Sequence, residues 1–505
     1  MSFLTLPYQL PLLNTELCTV QLTKCHSDMK SMNKTNTDVV MDIVTDVVIV
    51  GSGFAGLSAA IAAAQAGVSV ILVEKEASCG GNSLVSGGVL TVVGSPIQTR
   101  EGIADSFALL KQDMLTAGRQ LNNVALVETM VQESYPTLQW LTEELGVKFK
   151  DRVDQYGGHS VPRNHSPETL SGSAILTAML TQAKSLGVEI RTQTRLIRLL
   201  TTPAQTNTTP PMVTGVVVKT PDREIKQIGV NQGVVLATGG FSGDRTFLHQ
   251  QAPHLPTGLD HTNVPHATAE ALIEAIRIGA QGIDLDQVQL APWVSPDETG
   301  YGIAPLFASY TVLAYGLAID PVTGKRFINE LADRKTWVDT LLTLGHPCIG
   351  IADTAGMENS GIDIEPYLAD RAVVKKFSTL SSLAAEYSIP DTALQQTLDR
   401  YNYFVGQLHE DRDFGKSLRD RAKPLNPPFY GVRLWPKVHY TIGGVKIDPQ
   451  AQVLGVGDLP IAGLYAAGEV TGGMHGACRL GGCAMTECIV FGRMAGQNVA
   501  KHSIT

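Results

Sequence analysis

The chain has 505 residues, 44% of them hydrophobic, and its 39 Lys and Arg against 48 Asp and Glu give a formal charge of −9. It is long enough for more than one core, because single cores rarely grow past about 250–300 residues. The acidic balance argues against nucleic acid or an anionic membrane surface as the main partner while leaving room for a local basic pocket, and no apolar run approaches the ~18–20 residues of a membrane span.

Residues 1–42 show no sustained period. Their apolar stretch is broken by Pro7 and Pro11 and has no basic region before it, so they read as an unstructured or peripheral extension and not as a signal peptide. Residues 45–50 form a buried-strand run that leads through glycines into an Ala-rich helix over 57–67 and a second strand over 68–74, a βαβ unit of ordinary size. Helical patterns follow through 101–146, then a helix over 174–187 and a strand over 189–194. Residues 213–219 and 224–230 alternate like a hairpin turning at Asp222. Residues 233–238 read as a further strand that runs into Gly239 and Gly240. After about 285 the texture changes to loops containing Pro and aromatic residues. An amphipathic helix is expected over 391–410, and Pro424, Pro427 and Pro428 mark an irregular connection. From His439 the Gly-rich texture resumes.

This order predicts an α/β chain: a Rossmann-like nucleotide-binding domain in two parts, 43–290 and 439–505, interrupted by an α+β capping domain over 291–438 that contributes to the substrate site. Seven cysteines, none in C-x-x-C spacing, indicate neither covalent haem, nor a ferredoxin-type cluster, nor a zinc ribbon, and no metal site is expected. They read as reduced, mostly buried thiols of a reducing compartment, so a soluble, cytoplasmic protein is expected.

Gly51-x-Gly53-x-x-Gly56 follows a strand and opens a helix, the context a dinucleotide fingerprint requires. Gly51 permits the tight turn, Gly53 the approach of a pyrophosphate, and Gly56 close helix–strand packing, while the helix N-terminus favours the anion. Glu74 ends the second strand, placed to accept bonds from a ribose diol. The fingerprint alone does not separate NAD from FAD. Two later strand-to-turn segments, one ending in Thr238-Gly239-Gly240 and one in Ala466-Ala467-Gly468-Glu469, are of the type that flanks an FAD held across a whole domain. The loop Gly80-Gly81-Asn82-Ser83 with Ser86-Gly87-Gly88 can pass close under a flavin ring. Only one fingerprint is present, so a separate NAD domain is not expected. The expected cofactor contacts are Gly51, Gly53, Gly56, Glu74, Asn82, Ser83, Gly88, Thr238, Gly239, Gly468, Glu469, Arg479 and Gly482.

From about residue 44 to 500 the chain resembles the flavoprotein subunits of fumarate reductase and succinate dehydrogenase, in particular the soluble fumarate reductase and flavocytochrome c branch. The residues that carry the resemblance are the fingerprint, Gly80 to Ser83, Tyr156-Gly-Gly-His-Ser-Val-Pro-Arg163, Gly324-Lys-Arg-Phe-Ile-Asn-Glu330 followed by Arg334, His439-Tyr-Thr-Ile-Gly-Gly444, and the long Gly-rich segment from Glu469 to Gly482 that contains Arg479. The resemblance implies hydride transfer between flavin N5 and the C=C bond of an α,β-unsaturated carboxylate such as fumarate or urocanate. Arg334 matches the proton donor, and His439 and Arg479 match the groups that clamp a carboxylate. A guanidinium suits that task because it makes two parallel charge-assisted bonds. Family members bound in the membrane attach FAD to a histidine in the loop matching 82–88. No histidine occurs there, so non-covalent FAD is expected. No haem motif or added redox module is present, which points to an electron-donor protein or free reduced flavin as partner.

The chain departs from the family pattern at the other end of the substrate pocket. Leu290-Ala291-Pro292-Trp293 stands where fumarate-active members carry a substrate histidine, and the stretch Ala308 to Val312 lacks their Glu and Arg proton relay. Ala291, Ser309 and Tyr310 are the expected substrate contacts there, with Tyr310 or Tyr301 replacing part of the lost function. A substrate with one carboxylate fits this better than symmetrical fumarate. Two alternatives remain open at this stage: a dehydrogenase of a ketosteroid or polycarboxylate, against which a carboxylate clamp argues in the steroid case, and a flavin-binding redox sensor using Cys478 or Cys483.

Overall fold

Val47, Val48, Ile49 and Val50 are all buried, which requires cover on both faces of the strand that carries them. In the computed structural model, which describes residues 41–202, 210–361, 373–418 and 422–502, they end β1 (Ile43–Val50) of an eight-stranded sheet. The other strands are β2 (Val70–Val73), β3 (Glu189–Arg191), β4 (Arg195–Thr202), β5 (Met212–Lys219), β6 (Ile225–Leu236), β7 (Gln452–Leu454) and β8 (Pro460–Ala466). Their order is β7-β8-β6-β1-β2-β3, with β5 pairing β6 and β4 pairing β5. From β8 to β3 the central strands are parallel, and their register sets Ala466 beside Leu236, Leu236 beside Val50, and Val50 beside Val73. Four strands therefore end at one edge, where the following residues are Gly51, Glu74, Ala237 and Ala467. Ligands of open parallel sheets bind outside that carboxyl edge.

The hairpin expected over 213–230 is present as β5 paired with β6, but its second arm and the further strand expected over 233–238 are one continuous strand of 12 residues. Its first part pairs antiparallel with β5 and the rest runs parallel to β1. Asn231 and Gln232 interrupt the apolar pattern at the register shift between Thr45 and Val47 of β1, between the stretches that pair β5 and β8, which is why the strand reads as two pieces. Residues 1–40 lie outside the described residues, and Asp42–Thr505 forms one compact unit.

The region after 285 is more regular than its Pro-rich texture suggests. Leu317–Asp320, Lys325–Arg326, Cys348–Asp353, Lys375–Phe377 and Phe429–Leu434 form a five-stranded antiparallel sheet. Strands of two to six residues, several buried on both faces, show no period of two, so they escape pattern reading. The helix expected over 391–410 is α-helical over Asp391–Tyr403, continues as a π turn over Phe404–Leu408, and stops at His409, which adopts φ 52°. Val288–Ala291 pairs antiparallel with Lys437–Thr441, with Leu290 opposite Val438, so the two expected junctions of the cap are neighbours in space. Helices α1 (Phe54–Gln65) and α2 (Arg334–Leu344) start at the two ends of the cavity described below, and α3 (Cys483–Val499) packs on α1. Gly492 and Gly496 of α3 make that packing close, because a Cβ at either would overlap the backbone of Ala55 or Ala59.

The segment around Gly324-Lys-Arg-Phe-Ile-Asn-Glu330 is structural. Arg326 Nη2 lies 2.7 Å from Glu330 and 2.8 Å from Asp411, all three side chains being buried, and Lys416 Nζ donates to the Gly316 carbonyl at 2.6 Å and lies 3.5 Å from Glu330. Removing one partner of such a buried cluster strands the others in low dielectric. Glu330→Ala is therefore expected to destabilise the chain by about 3–5 kcal/mol, read as a lowered melting temperature. An unchanged melting temperature would contradict the role assigned to this cluster.

Candidate active site

The turn after β1 is closed by necessity. Gly51 has φ +102°, and a Cβ there would overlap the Ala237 carbonyl. Gly53 is the N-cap of α1 and offers no side chain to it. A Cβ on Gly53 would stand 3.1 Å from Ser83 Oγ, which itself accepts from Phe54 N at 3.0 Å. Glu74 is held by Ser52, whose N–H and hydroxyl donate to Oε2 at 3.2 and 2.5 Å, and by Glu76 N, which donates to Oε1 at 2.9 Å. Asn82 Oδ1 accepts from Val264 N at 2.9 Å and ties the glycine loop to the segment that follows β6.

One continuous cavity opens from this turn. Gly51, Gly53, Glu74, Asn82, Ser83, Gly88, Thr238, Gly239, Gly468, Glu469 and Gly482 line it, and so do Arg334, His439, Arg479, Ser309 and Tyr310. Gly56 does not reach it. A Cβ at Gly56 would overlap the carbonyl of Gly51, so Gly56 acts through packing and not by touching a ligand. Ala291 does not line it either: it is fully buried in the cap core with Phe307 and Val432, and Trp293, two residues on, faces the cavity instead. An uncapped helix start and a cradle that tolerates no Cβ fit a pyrophosphate, and an oriented carboxylate at the second strand end fits a ribose. The chemistry of these residues is thus that of an extended dinucleotide site.

At the other end two guanidiniums converge. Arg334 is the first residue of α2, whose N-cap Asp333 accepts from Thr336 N at 3.1 Å. Trp337 one turn on donates to the Glu330 carbonyl at 3.1 Å, which anchors the helix to the ion cluster of the cap. The Arg334 guanidinium lies 5.1 Å from the centre of the Trp293 ring. Arg479 is 5% exposed, and its backbone N–H donates to Gln289 Oε1 at 2.7 Å. Its Nη1 donates to the Leu480 carbonyl at 3.2 Å, and its guanidinium lies 4.6 Å from the Tyr440 ring centre. Among the described residues, Arg334 Nη1 and Arg479 Nε are buried without a hydrogen-bond partner. Burial, and then the neighbouring Arg479, push the Arg334 guanidinium down to about 9.

His439 stands on the ladder strand Lys437–Thr441, edge-on to Trp293 with ring centres 5.1 Å apart. Burial and the two arginines hold it well below the ordinary histidine range, so it is neutral. Its Nδ1 is 2.7 Å from Thr262 Oγ1, whose alternative acceptor, the Val438 carbonyl, is at 3.4 Å. With the Thr262 hydroxyl donating to Nδ1, Nε2–H is the free donor of the neutral ring. The rest of this end is aromatic: Trp293, Tyr301, Tyr310 and Tyr156 line it. Cys478 and Cys483 are buried, do not line the cavity, and have thiols pushed up to about 11 by burial. Trp293 and Thr262 carry no sequence signal of their own, and Tyr156 opens a segment that carries the resemblance without being marked as a site residue. Thr262 lies in a segment without a period, and Trp293 is recognisable only as the residue next to an absent histidine.

The FAD binding domain family matches residues 46–485. The acrylate reductase flavoprotein subunit of Shewanella woodyi is 36% identical over 465 residues, covering 90% of this chain and 91% of that one. Among solved structures, the open conformation of a flavocytochrome c3 fumarate reductase superposes with a TM-score of 0.72 at 32% identity, covering 96% of this chain and 81% of that one. A 3-ketosteroid-Δ4-(5α)-dehydrogenase from Rhodococcus jostii RHA1 reaches the same TM-score, 0.72, at 25% identity, covering 92% of this chain and 99% of that one.

Glu469 supplies a test of the electrostatics between the two ends of the cavity. Its carboxylate accepts from Thr441 N at 2.9 Å, and burial raises it from 4.5 to about 7. A carboxyl group raised on folding binds its proton more tightly in the folded chain, so its stabilisation is present at low pH and is lost as pH rises from about 4.5 to 7. Glu469→Gln stays neutral. The melting temperature of the ligand-free variant minus that of the unsubstituted protein should therefore increase from pH 5 to pH 7.5. A difference that stays constant with pH would contradict the raised carboxyl.

Proposed function

The chain belongs to the FAD binding domain family, with the fumarate reductase flavoproteins among its relatives, and from that premise we propose that it reduces the C=C bond of an α,β-unsaturated carboxylate. The observation that carries this reading is the pair of guanidiniums at one end of the cavity, Arg479 buried and Arg334 partly buried, each with a buried nitrogen unpartnered among the described residues. Neither forms an ion pair among the described residues, and two such groups are costly unless an anion completes the site. FAD is held non-covalently in this reading, because the loop over 82–88 has no histidine, and in its reduced form it supplies the hydride.

The chain's own residues supply the rest. Arg479 binds the substrate carboxylate by two parallel bonds, and His439 adds a neutral N–H donor. This clamp orients the alkene and stabilises enolate-like charge as it develops. Arg334 holds the proton that is given to the alkene carbon next to the carboxylate, the one the hydride does not reach. Its depressed value of about 9 leaves it charged at neutral pH yet a stronger acid than an ordinary arginine, whose pKa is roughly 12.5 or above. Residues 291–438 act as the cap that brings Arg334 to the clamp, and a donor protein or free reduced flavin provides the electrons. With aromatic residues where a second cation would be needed, the substrate carries one carboxylate. The steroid dehydrogenase reading shares the fold, but a neutral steroid leaves both arginines unpaired.

Dithionite-reduced holoenzyme should be reoxidised by enoates. Arg334→Ala should slow that step by about 10²–10⁴-fold without altering the flavin spectrum, and persistent activity would remove Arg334 as the acid. An acid that works protonated gives a kcat/KM that is flat at neutral pH and falls as pH rises through about 9. Acid denaturation should release the flavin into the supernatant, and a flavin that stays with the precipitated chain would contradict non-covalent binding.

A further inference from the structure

At the aromatic end of the cavity, Tyr156 donates its hydroxyl hydrogen to the Tyr310 oxygen across 2.8 Å. The two rings meet edge to face, centres 5.8 Å apart. Burial pushes both phenols up, so both stay protonated. A phenol oxygen that already accepts one bond keeps its own hydrogen to give. Tyr310 is thereby an oriented neutral donor, and it faces the cavity within reach of the glycine loop: a Cβ on Gly87 would stand 3.9 Å from its hydroxyl. Tyr156 is fixed on its other side, where its ring packs against Gly481 so closely that a Cβ there would come within 2.6 Å of it and within 3.3 Å of Arg334 Nη2. The pair thus spans from the acid to the cofactor loop along one wall. Trp293, edge-on to Tyr301 with ring centres 6.4 Å apart, also lines this end.

We infer that the Tyr310 hydroxyl, oriented by Tyr156, is the specificity-determining donor of the substrate site, selecting enoates whose second alkene carbon bears a substituent ending in a neutral hydrogen-bond acceptor. This rests on the enoate reductase reading and narrows its substrate class. A second carboxylate at this position gains one phenol bond but loses its hydration inside an aromatic wall, a net cost. A substituent without an acceptor leaves the phenol hydrogen unpaired. A carbonyl, ring nitrogen or hydroxyl oxygen satisfies it. Tyr310 touches the substrate in this account, and Tyr156 is a positioning residue that acts through it.

The test uses dithionite-reduced holoenzyme and three acids: (E)-4-oxopent-2-enoate, its acceptor-free analogue (E)-4-methylpent-2-enoate, and fumarate. The ratio of kcat/KM for the oxo acid to that for the methyl acid is measured in the unsubstituted protein, in Tyr310→Phe and in Tyr156→Phe, so that intrinsic reactivity cancels between proteins. Tyr310→Phe should lower the ratio roughly tenfold, the net worth of one neutral hydrogen bond, with the change mainly in KM. Tyr156→Phe should lower it less, and flavin content and the melting temperature report whether either variant is folded. An equal ratio in all three proteins, or a preference of the unsubstituted protein for fumarate over the oxo acid, overturns the inference while leaving the enoate reductase reading standing. Reoxidation by none of the three acids overturns both.

Discussion

The structure turns on two guanidiniums that should not be together. Burial, and after it the repulsion of Arg479, depress Arg334 to about 9, and each arginine keeps a buried nitrogen without a partner among the described residues. Such a pair persists only if the surrounding elements over-determine it. Each arginine lies against an aromatic ring, Trp293 for one and Tyr440 for the other, and an aromatic face returns part of the lost hydration. Each backbone is also held: Arg479 by the Gln289 side chain, and Arg334 at the start of a helix that Asp333 caps and Trp337 ties to the Glu330 carbonyl. The buried ion cluster of Arg326, Glu330, Asp411 and Lys416 thus serves the site at a distance, because Glu330 belongs to both the cluster and the helix anchor.

What brings the clamp to the dinucleotide end is strand register. β8 arrives hundreds of residues after β1 yet is separated from it by β6 alone, and the registers leave Val73, Val50, Leu236 and Ala466 abreast. The segment that leaves β8 carries Gly468, Glu469 and then Arg479 along the same cavity that begins at Gly51. The ladder between Val288–Ala291 and Lys437–Thr441 closes the base of the cap and presents His439. Sheet, ladder and cap helix are three separate devices, and the cavity is where they meet.

The legible parts of this arrangement were those with local physical signatures. The turn from β1 into α1 is written in glycines that the backbone cannot replace, since Gly51 adopts φ +102° and Gly56 meets a carbonyl. Arg334, His439 and Arg479 have no such signature and were recognisable only through the family resemblance, and all three face one cavity. The parts that were not legible depend on partners distant in sequence. β6 reads as two strands because it changes neighbours midway. The cap sheet reads as loops because its short, doubly buried strands have no alternation. Ala291 was expected at the substrate and lies in the cap core, because strand pairing turns its side chain away while Trp293 faces in. The bond from Tyr156 to Tyr310 joins residues 154 positions apart, and no local pattern announces it.

In the proposed reaction Arg479 and His439 bind a carboxylate opposite Arg334. A crystal structure of the FAD-loaded protein with 3-phenylpropionate, a saturated monocarboxylate that cannot be reduced, tests it most directly. The account predicts the carboxylate on Arg479 and His439, with the carbon two bonds from a carboxylate oxygen within about 3–3.5 Å of the Arg334 guanidinium. A carboxylate bound elsewhere in the cavity, with Arg479 left unpaired, would contradict it.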